Sequence, residues 1–352
     1  MSSAGFGNLT PTTFDVLVPR GGFAQQDWPM RHKTTKQKPA FVSLVRDLLS
    51  FHTFDSMSEA NAQLKERVRA FWQEHPCGAK FADAQPGTRV FYDLVEAHRY
   101  KKEWHIPTAA GFAHTKDQHV LEIGCGLGTD GSQFAKAGAH YTGVDLTEAA
   151  VNLARRHFEL FNLPGNFRVA DAEQLEFPDN TFDIVYSHGV LHHTPDTAAA
   201  VREVHRVLRP GGRAVVMLYH RNSYNYRVNI SLLRRAGVQL LRCRAGLKVA
   251  QVFTGENEDS LREHARQLRS NSQYLSAAEF LNRNTDGAGN PLARVYSKAE
   301  ARELFKDFAD VKLQPYFFNK RWLPVLGPLL PRPLEAKLAS RWGWHLWIYA
   351  TK

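Results

Sequence analysis

The fold is decided by the stretch Val120-Leu121-Glu122-Ile123-Gly124-Cys125-Gly126-Leu127-Gly128-Thr129-Asp130. An apolar run ends in an acid, three glycines follow at alternate positions, and a polar residue then opens a helical pattern. This order predicts the first strand, turn and helix of a nucleotide-binding α/β domain. The glycines permit a sharp turn and a close approach of the backbone to a ligand, where a Cβ would collide. The spacing is G-x-G-x-G, whereas dinucleotide binders carry G-x-G-x-x-G.

Strand and helix patterns alternate after this stretch. Thr147 is predicted to cap the helix after the second strand. The helix that carries Val201, Val204 and Leu208 is expected to end at Pro210, which cannot continue it. The alternation predicts a parallel sheet with helices on both faces. The first five strands are predicted at 119–123, 141–144, 167–170, 182–186 and 213–219.

The alternation stops after Tyr219 for about 75 residues, which is far longer than an ordinary connection and predicts an insertion. It resumes at Ser297, which with Glu300 forms a capping box for a helix predicted at 298–308. Two closing strands are predicted at 311–317 and 346–351. Helices are predicted before the first strand at 40–49, 57–72 and 87–104, the last with Phe91, Leu94, Val95 and His98 on one face.

These patterns divide the chain into five parts. They are an N-terminal extension (1–57), a helical lid or substrate region (58–117), a cofactor-binding core (118–220), an inserted substrate subdomain (221–295) and the C-terminal part of the core (296–352).

Composition excludes several classes of protein. The chain has 352 residues, 43% of them hydrophobic, and a mean hydropathy of −0.40. It has no apolar run near the roughly 18 residues that span a bilayer, and its N-terminus does not read as a secretory signal. Three cysteines are too few for a disulfide framework or a zinc site. We therefore expect a cytoplasmic protein without a metal.

The formal net charge of +10 suits an anionic substrate, an acidic membrane surface or nucleic acid. Basic residues cluster within 31–38 and 234–248, but neither cluster has the interleaved aromatics of a single-strand stacking platform. Stable nucleic-acid binding is therefore not expected. The apolar, proline-rich segment 322–331, with Arg332, Lys337 and Arg341 beyond it, suits either peripheral membrane contact or packing between two strands, and packing is favoured.

Acidic residues follow the second and third strands, at the sheet edge where ligands bind. Asp145 lies about 20 residues beyond the glycines, where an acid hydrogen-bonds a ribose hydroxyl. Asp171-Ala172-Glu173 offers carboxylates to an adenine amino group, and Ser187 and His188 follow at the centre of the sheet. Taken singly, each acid is also a common turn residue.

The segment 120–219 resembles the class I S-adenosylmethionine-dependent methyltransferases, closest to the type-11 group that includes quinone-biosynthesis methyltransferases. The matching motifs are Glu122 to Gly128, Asp145, Asp171-Ala172-Glu173, Phe182 to Val185, Leu191-His192-His193 and Leu208-Arg209-Pro210-Gly211-Gly212. The resemblance implies an α/β, doubly wound, mostly parallel seven-stranded sheet of Rossmann-like type whose last strand is antiparallel. To this fold the chain adds an N-terminal helical extension and a helical insertion after the fifth strand.

The resemblance also implies S-adenosylmethionine as cofactor. Glu122 would organise its amino-acid end, Asp145 its ribose, and Asp171 and Ala172 its adenine, with Ser187 and His188 near the methionine portion. Asp145→Ala and Gly124→Ala are each expected to weaken cofactor binding and to leave the fold intact. The cofactor-binding candidates are Glu122, Gly124, Cys125, Gly126, Gly128, Asp145, Leu146, Asp171, Ala172, Glu173, Ser187 and His188.

Methyl transfer depends mostly on alignment of the acceptor, and a base is needed only if the acceptor loses a proton. His192 and His193 are candidates because imidazole titrates near neutrality. The pattern supports a structural role for one of these two histidines at least as well as a role as base, and His193 is the first choice for the structural role. Residues after the fifth strand, and the polar loop 282–287, would face the acceptor unless that loop is a plain turn. The catalytic candidates are His192, His193, Tyr219, His220 and Tyr224.

The sequence thus predicts a methyltransferase acting on a small or medium-sized metabolite, anionic or hydrophobic, at oxygen, carbon or nitrogen, with a homodimer as one assembly to test. An RNA methyltransferase is one alternative, which steeply salt-sensitive RNA binding would support. A cofactor-binding sensor or partner without catalysis is another. A nicotinamide oxidoreductase is disfavoured by the G-x-G-x-G spacing.

Overall fold

The computed structural model describes residues 59–242, 246–254, 258–287, 289–320, 323 and 327–352, and all of them belong to one compact unit. The predicted extension 1–57, with its helix at 40–49, lies outside the described residues, as do Cys243 and much of the apolar segment 322–331. Among the described helices, none is both long and apolar enough to cross a membrane.

The described residues form one seven-stranded sheet in the order β3-β2-β1-β4-β5-β7-β6. Neighbours among the first five strands pair in parallel, while β7 lies between β5 and β6 and runs antiparallel to both. The predicted doubly wound, mostly parallel sheet is confirmed. The strands are β1 His119–Ile123, β2 His140–Asp145, β3 Asn166–Val169, β4 Phe182–His188, β5 Leu208–Tyr219, β6 Asp310–Tyr316 and β7 His345–Thr351.

Helices cover both faces of the sheet. Thr147 caps helix α5 (Glu148–Phe161) by accepting the Ala150 N–H, and Ser297 and Glu300 form the predicted capping box of helix α11 (Lys298–Leu304). A helix with π-type hydrogen bonding, Asn225–Arg234, precedes α7. The α-helices are α1 (59–74), α2 Arg89–Lys102, α3 Ile106–Ala110, α4 Thr129–Lys136, α5 Glu148–Phe161, α6 Thr197–Val207, α7 Arg235–Gln239, α8 Gly246–Thr254, α9 Glu258–Ser270, α10 Ala277–Arg283, α11 Lys298–Leu304 and α12 Arg332–Trp342.

Alternate strand residues enter separate cores on the two sheet faces. Tyr186 of β4 and Trp347 of β7 pack with Phe134 of α4 on one face. Val185 and Ile348, their sequence neighbours, lie on the opposite face with residues of α6 and α11. Because both faces are covered, the central strands are mostly apolar. The carboxyl ends of the parallel strands therefore meet along one edge, where the glycine turn lies.

Three predicted boundaries differ from the structure by three or more residues. Helix α6 ends at Val207, and β5 begins at Leu208 instead of 213, because Leu208 is buried and pairs with Phe182 of β4. The pairing is irregular between Phe182 and Ile184, on the strand opposite the proline and glycines that follow Leu208. Helix α11 stops at Leu304 instead of 308.

The face of α2 that carries Phe91, Leu94, Val95 and His98 is only partly buried. Phe91 and Val95 are buried, but Leu94 and His98 are exposed. Tyr92 takes their place because its ring stacks on His157 and its hydroxyl donates to the Leu153 carbonyl of α5, 2.7 Å away. This face of α2 packs against Leu127 of the glycine turn.

Candidate functional site

The glycine turn between β1 and α4 is shaped by three left-handed residues. Gly124, Gly126 and Gly128 have φ of 80°, 52° and 72°, a region that favours glycine. A Cβ at Gly124 would lie 2.1 Å from Val190 Cγ2, so that position has no room for a side chain. A Cβ at Gly126 would meet none of the described atoms within 4 Å. Of the three glycines, Gly126 is therefore the one with open space beside it in the described part of the chain.

Asp145, at the end of β2, is held beside this turn. Its Oδ2 accepts from the Gly126 N–H at 3.2 Å, and its Oδ1 accepts from the Thr147 N–H and hydroxyl at 3.0 and 2.9 Å. Burial raises the pKa of Asp145, while these hydrogen bonds oppose the rise. A carboxylate has about four acceptor positions, and these three hydrogen bonds leave Asp145 room for about one further donor, such as a ligand hydroxyl.

Glu122, the acid that ends the apolar run, is buried in β1. Its Oε2 accepts from the Tyr141 hydroxyl at 2.5 Å. Burial, with the nearby Asp130, raises the pKa of Glu122 well above its usual range. Burying a carboxylate with few polar partners costs free energy. A cationic ligand group beside Glu122 would reduce that cost.

The two halves of Ser187-His188 have different surroundings. Ser187 is buried and its Oγ donates to the Ile123 carbonyl at 3.0 Å, so its side chain ties β4 to β1. His188 Nδ1 lies 3.2 Å from Arg99 Nη2, which can only donate. His188 Nε2 is buried without a hydrogen-bond partner among the described residues. Burial and Arg99 lower the pKa of His188 well below its usual range, so it is neutral.

Arg99 of α2 was not predicted as a site residue. Its Nε donates to Asp130 Oδ1 at 2.8 Å, and Tyr100 and Tyr186 donate to the same carboxylate at 2.9 and 2.8 Å. Asp130 is only 3% exposed. The pair joins α2 to the start of α4. No local sequence signal connects two residues that lie 31 positions apart.

Lys65 of α1 is a second residue that the sequence pattern missed. Its Nζ lies 2.5 Å from Asp171 Oδ2 and 2.6 Å from Glu173 Oε2. Glu173 also accepts from the Asp196 N–H at 2.7 Å, and Ala172 between the two acids is 9% exposed. Helix α1 therefore covers the predicted adenine-binding segment and supplies it with a cation.

At the other end of α1, side chains from three parts of the chain converge. The Trp72 and His193 rings have centroids 5.4 Å apart, and the His192 and Tyr219 ring centroids are 3.8 Å apart. The Tyr219 hydroxyl donates to Asp286 Oδ1 at 2.8 Å. The structure thus brings together three of the predicted catalytic candidates and adds Asp286 from the predicted polar loop.

The other two catalytic candidates contact different segments. His220 is buried and its Nδ1 lies 3.0 Å from the Gly343 carbonyl, to which it can donate. The Tyr224 ring lies 5.5 Å from Phe318. Neither contact connects them with His192, His193 and Tyr219.

The remaining cofactor candidates lie in or beside the turn. Cys125 is buried, and burial raises the pKa of its thiol well above the usual range. Gly128 is the N-cap residue directly before α4, and a Cβ there would lie 3.3 Å from Ala154. Leu146 follows Asp145 and is half-buried. In the part of the chain that the structure describes, no group of three or more His, Cys, Asp or Glu could hold a metal ion.

The sequence is similar to those of known methyltransferases. Residues 121–216 match a family model described as a methyltransferase domain. A ubiquinone biosynthesis O-methyltransferase of Pseudomonas aeruginosa is 36% identical over 138 residues, 39% of this chain and 57% of the relative. Its counterpart in Coxiella burnetii is 34% identical over 111 residues, 32% of this chain and 47% of the relative. The chain thus spans about half the length of these relatives, 57% of the first and 47% of the second.

A solved structure, magnesium protoporphyrin IX methyltransferase from Synechocystis PCC 6803 with bound S-adenosylhomocysteine, aligns with 82% of this chain and 99% of its own. The sequence identity is 16% and the TM-score 0.44. The family match falls on β1 to β5, the strands that carry the glycine turn and the acids. Residues 121–216 of this chain therefore match the type-11 family of methyltransferase domains.

Proposed function

We propose that this protein transfers the methyl group of S-adenosylmethionine to a small molecule. One observation carries the proposal, namely that Gly126, which has open space on its Cβ side among the described residues, donates its N–H to Asp145 at the end of β2, while the buried acid Glu122 lies near the end of the adjacent strand β1. A ligand with an ammonium at one end and ribose hydroxyls beside it matches that arrangement. The family match over residues 121–216 supports the same cofactor.

The described residues fit each portion of the cofactor. Buried Glu122 would hold the ammonium of its amino-acid end, and Asp145 would accept from its ribose hydroxyls. Asp171 and Glu173 would accept from the adenine amino group, in place of Lys65. When bound, the cofactor supplies a methyl group on a sulfonium, which is already a good leaving group.

The chain's contribution to transfer is then to align the acceptor and exclude water. We propose that the insertion, 221–295, forms the acceptor side, since Asp286 from it reaches Tyr219 at the end of β5. The matched relatives are named as O-methyltransferases of ubiquinone biosynthesis. A hydroxyl of a small, hydrophobic or anionic aromatic molecule is therefore the first acceptor to test.

We also propose that the protein works in the cytoplasm. Of its three cysteines, Cys77 and Cys125 are both free, one exposed and one buried, as expected for a reducing compartment. The homodimer and the peripheral membrane contact stay predictions from the sequence.

The experiment incubates the protein with methyl-labelled S-adenosylmethionine and a cell extract separated into metabolite, RNA and protein fractions. We expect label in the metabolite fraction, with Asp145→Ala as the inactive control. Label in RNA would contradict a small-molecule acceptor, and no label in any fraction would contradict the proposed activity.

A further inference from the structure

The edge of the sheet at β6 carries a cavity that the proposed cofactor site does not use. The cavity measures about 70 Å³ and lies between the end of β6, helix α12 and the link from α2 to α3. Four aromatic side chains line it, namely Trp104, Tyr316, Phe317 and Phe318. We propose that this cavity is a binding site, separate from the cofactor site, for the apolar end of a small uncharged molecule.

The walls of the cavity lie outside the part of the chain that matches the methyltransferase family model. That match covers residues 121–216. The lining residues fall within 104–105 and 314–340 instead. The cavity is therefore a feature of this chain that the family match does not predict.

Helix α12 leaves the space open because small residues face it. Ala339 is buried and Ala336 is half-buried, and both line the cavity. A larger apolar side chain at either position would fill the space, as close packing in protein interiors favours. Trp104 and Ser340, which also line the cavity, are exposed, so the cavity opens to solvent. A ligand can therefore enter without unfolding the surrounding structure.

One residue of the aromatic wall has a strained backbone. Phe317 has a φ of 64°, in the left-handed region where a bulky side chain is rare and costs free energy. Its carbonyl accepts from the Trp344 N–H at 2.9 Å, and its ring stacks on His345 with centroids 4.6 Å apart. Such strain is concentrated at binding sites, where the surrounding contacts maintain it. The geometry of Phe317 therefore supports a ligand-binding role for this wall.

The polar groups around the cavity are already paired, and this pairing indicates the charge of the ligand. Glu335 pairs with Lys320 Nζ at 3.2 Å. The side chains of Gln314 and Ser340 donate to main-chain carbonyls. Burial lowers the pKa of His105 to about 3, so its ring is neutral at physiological pH. Among the described lining residues, no unpaired charge is left to hold an anion or a cation.

The volume of the cavity limits the size of the apolar group. A dry cavity of about 150 Å³ holds benzene, so 70 Å³ suits a smaller group, such as a branched chain end of about four carbon atoms. A second cavity among the described residues has a similar volume, about 80 Å³, but Arg202, His205 and Asp307 line it. Because these side chains are polar, we do not expect the second cavity to bind the same group.

Two buried histidines separate the cavity from the proposed cofactor site. His105 lines the cavity, and its Nε2 lies 3.4 Å from His345 Nδ1. The His345 ring centroid lies 5.3 Å from that of His188 at the end of β4. A ligand in the cavity would therefore lie beside the proposed methionine portion of the cofactor, with two rings between them.

The first test titrates the full chain with three probes that share one branched apolar end, namely isopentanol, isovalerate and isopentylamine. The indole ¹⁵N–¹H NMR signal of Trp104, assigned with Trp104→Phe, reports occupancy. We expect isopentanol to shift this signal, and the two charged probes to bind about threefold or more weakly, because their charge loses water and gains no partner. Absence of a shift with isopentanol, or tighter binding of a charged probe, would overturn the proposal.

Filling the cavity tests its location. We expect Ala336→Leu and Ala339→Leu each to weaken isopentanol binding about tenfold or more, since a leucine side chain would occupy the volume that the probe needs. Ala336 is only half-buried, so its variant provides the test if Ala339→Leu does not fold. Lys337→Leu is the matched control, because Lys337 is exposed on the same helix and does not line the cavity. Unchanged isopentanol binding in Ala336→Leu would place the probe elsewhere and contradict the proposal.

The separation from the cofactor site is tested with S-adenosylhomocysteine. We expect isopentanol to bind equally with and without saturating S-adenosylhomocysteine, and its displacement would contradict a separate site. A protein that binds isopentanol but not S-adenosylhomocysteine would contradict the proposed function and leave the cavity site standing.

The natural ligand has two sources of the same chemistry, the non-reacting end of the methyl acceptor or a separate effector. The parent protein distinguishes them in an assay with the acceptor found in the labelled-extract experiment. Inhibition by isopentanol that is competitive with the acceptor would identify the acceptor as the source. Turnover that isopentanol does not inhibit competitively would identify a separate molecule.

Discussion

The glycines of the turn have different reasons for being glycine. Val190 leaves no room for a side chain at Gly124, whereas a Cβ at Gly126 would face open space among the described residues. The expectation that Gly124→Ala leaves the fold intact is therefore wrong, because its Cβ would lie 2.1 Å from Val190 Cγ2. Gly126 is the position at which a methyl group would probe the ligand space.

We expect Gly126→Ala to weaken S-adenosylhomocysteine binding about tenfold or more, because the new methyl group would occupy the space of the ligand. Gly211→Ala is the matched control, since Gly211 also has positive φ and no atom within 4 Å of a built Cβ. Both variants carry a similar strain of about 1–2 kcal/mol. Calorimetric titration compares them. Equal affinities for the two variants would show that Gly126 does not face the ligand.

Replacing Glu122 with glutamine is predicted to stabilise the fold and at the same time to weaken cofactor binding. Its pKa is raised, so between the ordinary value near 4.5 and the elevated one the folded state holds a proton that the unfolded state has lost. The free energy of unfolding is therefore not reduced by Glu122 at low pH, where the carboxyl is protonated in both states. It falls as the pH rises from about 4.5 toward the elevated pKa of the folded state. We expect Glu122→Gln to raise the melting temperature at pH 8, and less so at pH 4.5.

Each pKa unit of elevation corresponds to about 1.4 kcal/mol. In Glu122→Gln the new amide oxygen could still accept from the Tyr141 hydroxyl, so packing is preserved. The same variant should bind S-adenosylmethionine more weakly because the ammonium loses its partner. Scanning calorimetry across pH gives the first result and titration the second. A variant that is less stable than the parent at pH 8 would contradict the assignment.

Helix α1 is the element that covers both ends of the site. Lys65 lies on the predicted adenine side and Trp72 on the acceptor side. The Lys65 ammonium pairs with the same carboxylates, Asp171 and Glu173, that would accept from the adenine amino group. Cofactor binding therefore requires these ion pairs to break and hydrogen bonds to adenine to replace them. Partly exposed ion pairs contribute only about 1 kcal/mol or less each, so the exchange is accessible.

We expect Lys65→Gln to speed amide hydrogen exchange across 59–74 and to raise the association rate of S-adenosylhomocysteine severalfold, since the competing cation is removed. Lys136→Gln is the control, as Lys136 pairs with Glu96 on the surface. Hydrogen-exchange mass spectrometry and stopped-flow fluorescence supply the two measurements. Slower association in Lys65→Gln would mean that α1 assists binding through Lys65.

The elements differ in how well the sequence predicts them. Strands β1 to β5, the Thr147 cap and the Ser297–Glu300 box follow from local periodicity and spacing, and all are confirmed. The start of β5 at Leu208 depends on its pairing with Phe182, which no local pattern reports. The contacts of Lys65 with Asp171 and of Tyr219 with Asp286 join residues 106 and 67 positions apart. These contacts form only through tertiary packing. Sequence patterns therefore predicted the acidic residues as part of the site but could not predict which residues contact them.

The whole molecule carries a net charge of +10, which first suggested nucleic acid among other partners. Many of the described cations are already engaged with acids, such as Arg206 with Asp179 and Glu203, and Arg209 with Asp183. We expect a generic single-stranded RNA to bind more weakly than about 1 μM at physiological salt, within the non-specific range. Fluorescence anisotropy measures it. Tight binding with a steep salt dependence would favour the RNA methyltransferase alternative.

The central claim is that the turn at Gly126, with Glu122 and Asp145, binds S-adenosylmethionine. Isothermal titration of the full chain with S-adenosylmethionine, S-adenosylhomocysteine and NADH tests it most directly. The structure predicts one site per chain for each adenosyl ligand, weakened by Asp145→Ala, and no binding of NADH. Binding of NADH instead, or adenosyl-ligand binding that Asp145→Ala does not alter, would contradict it.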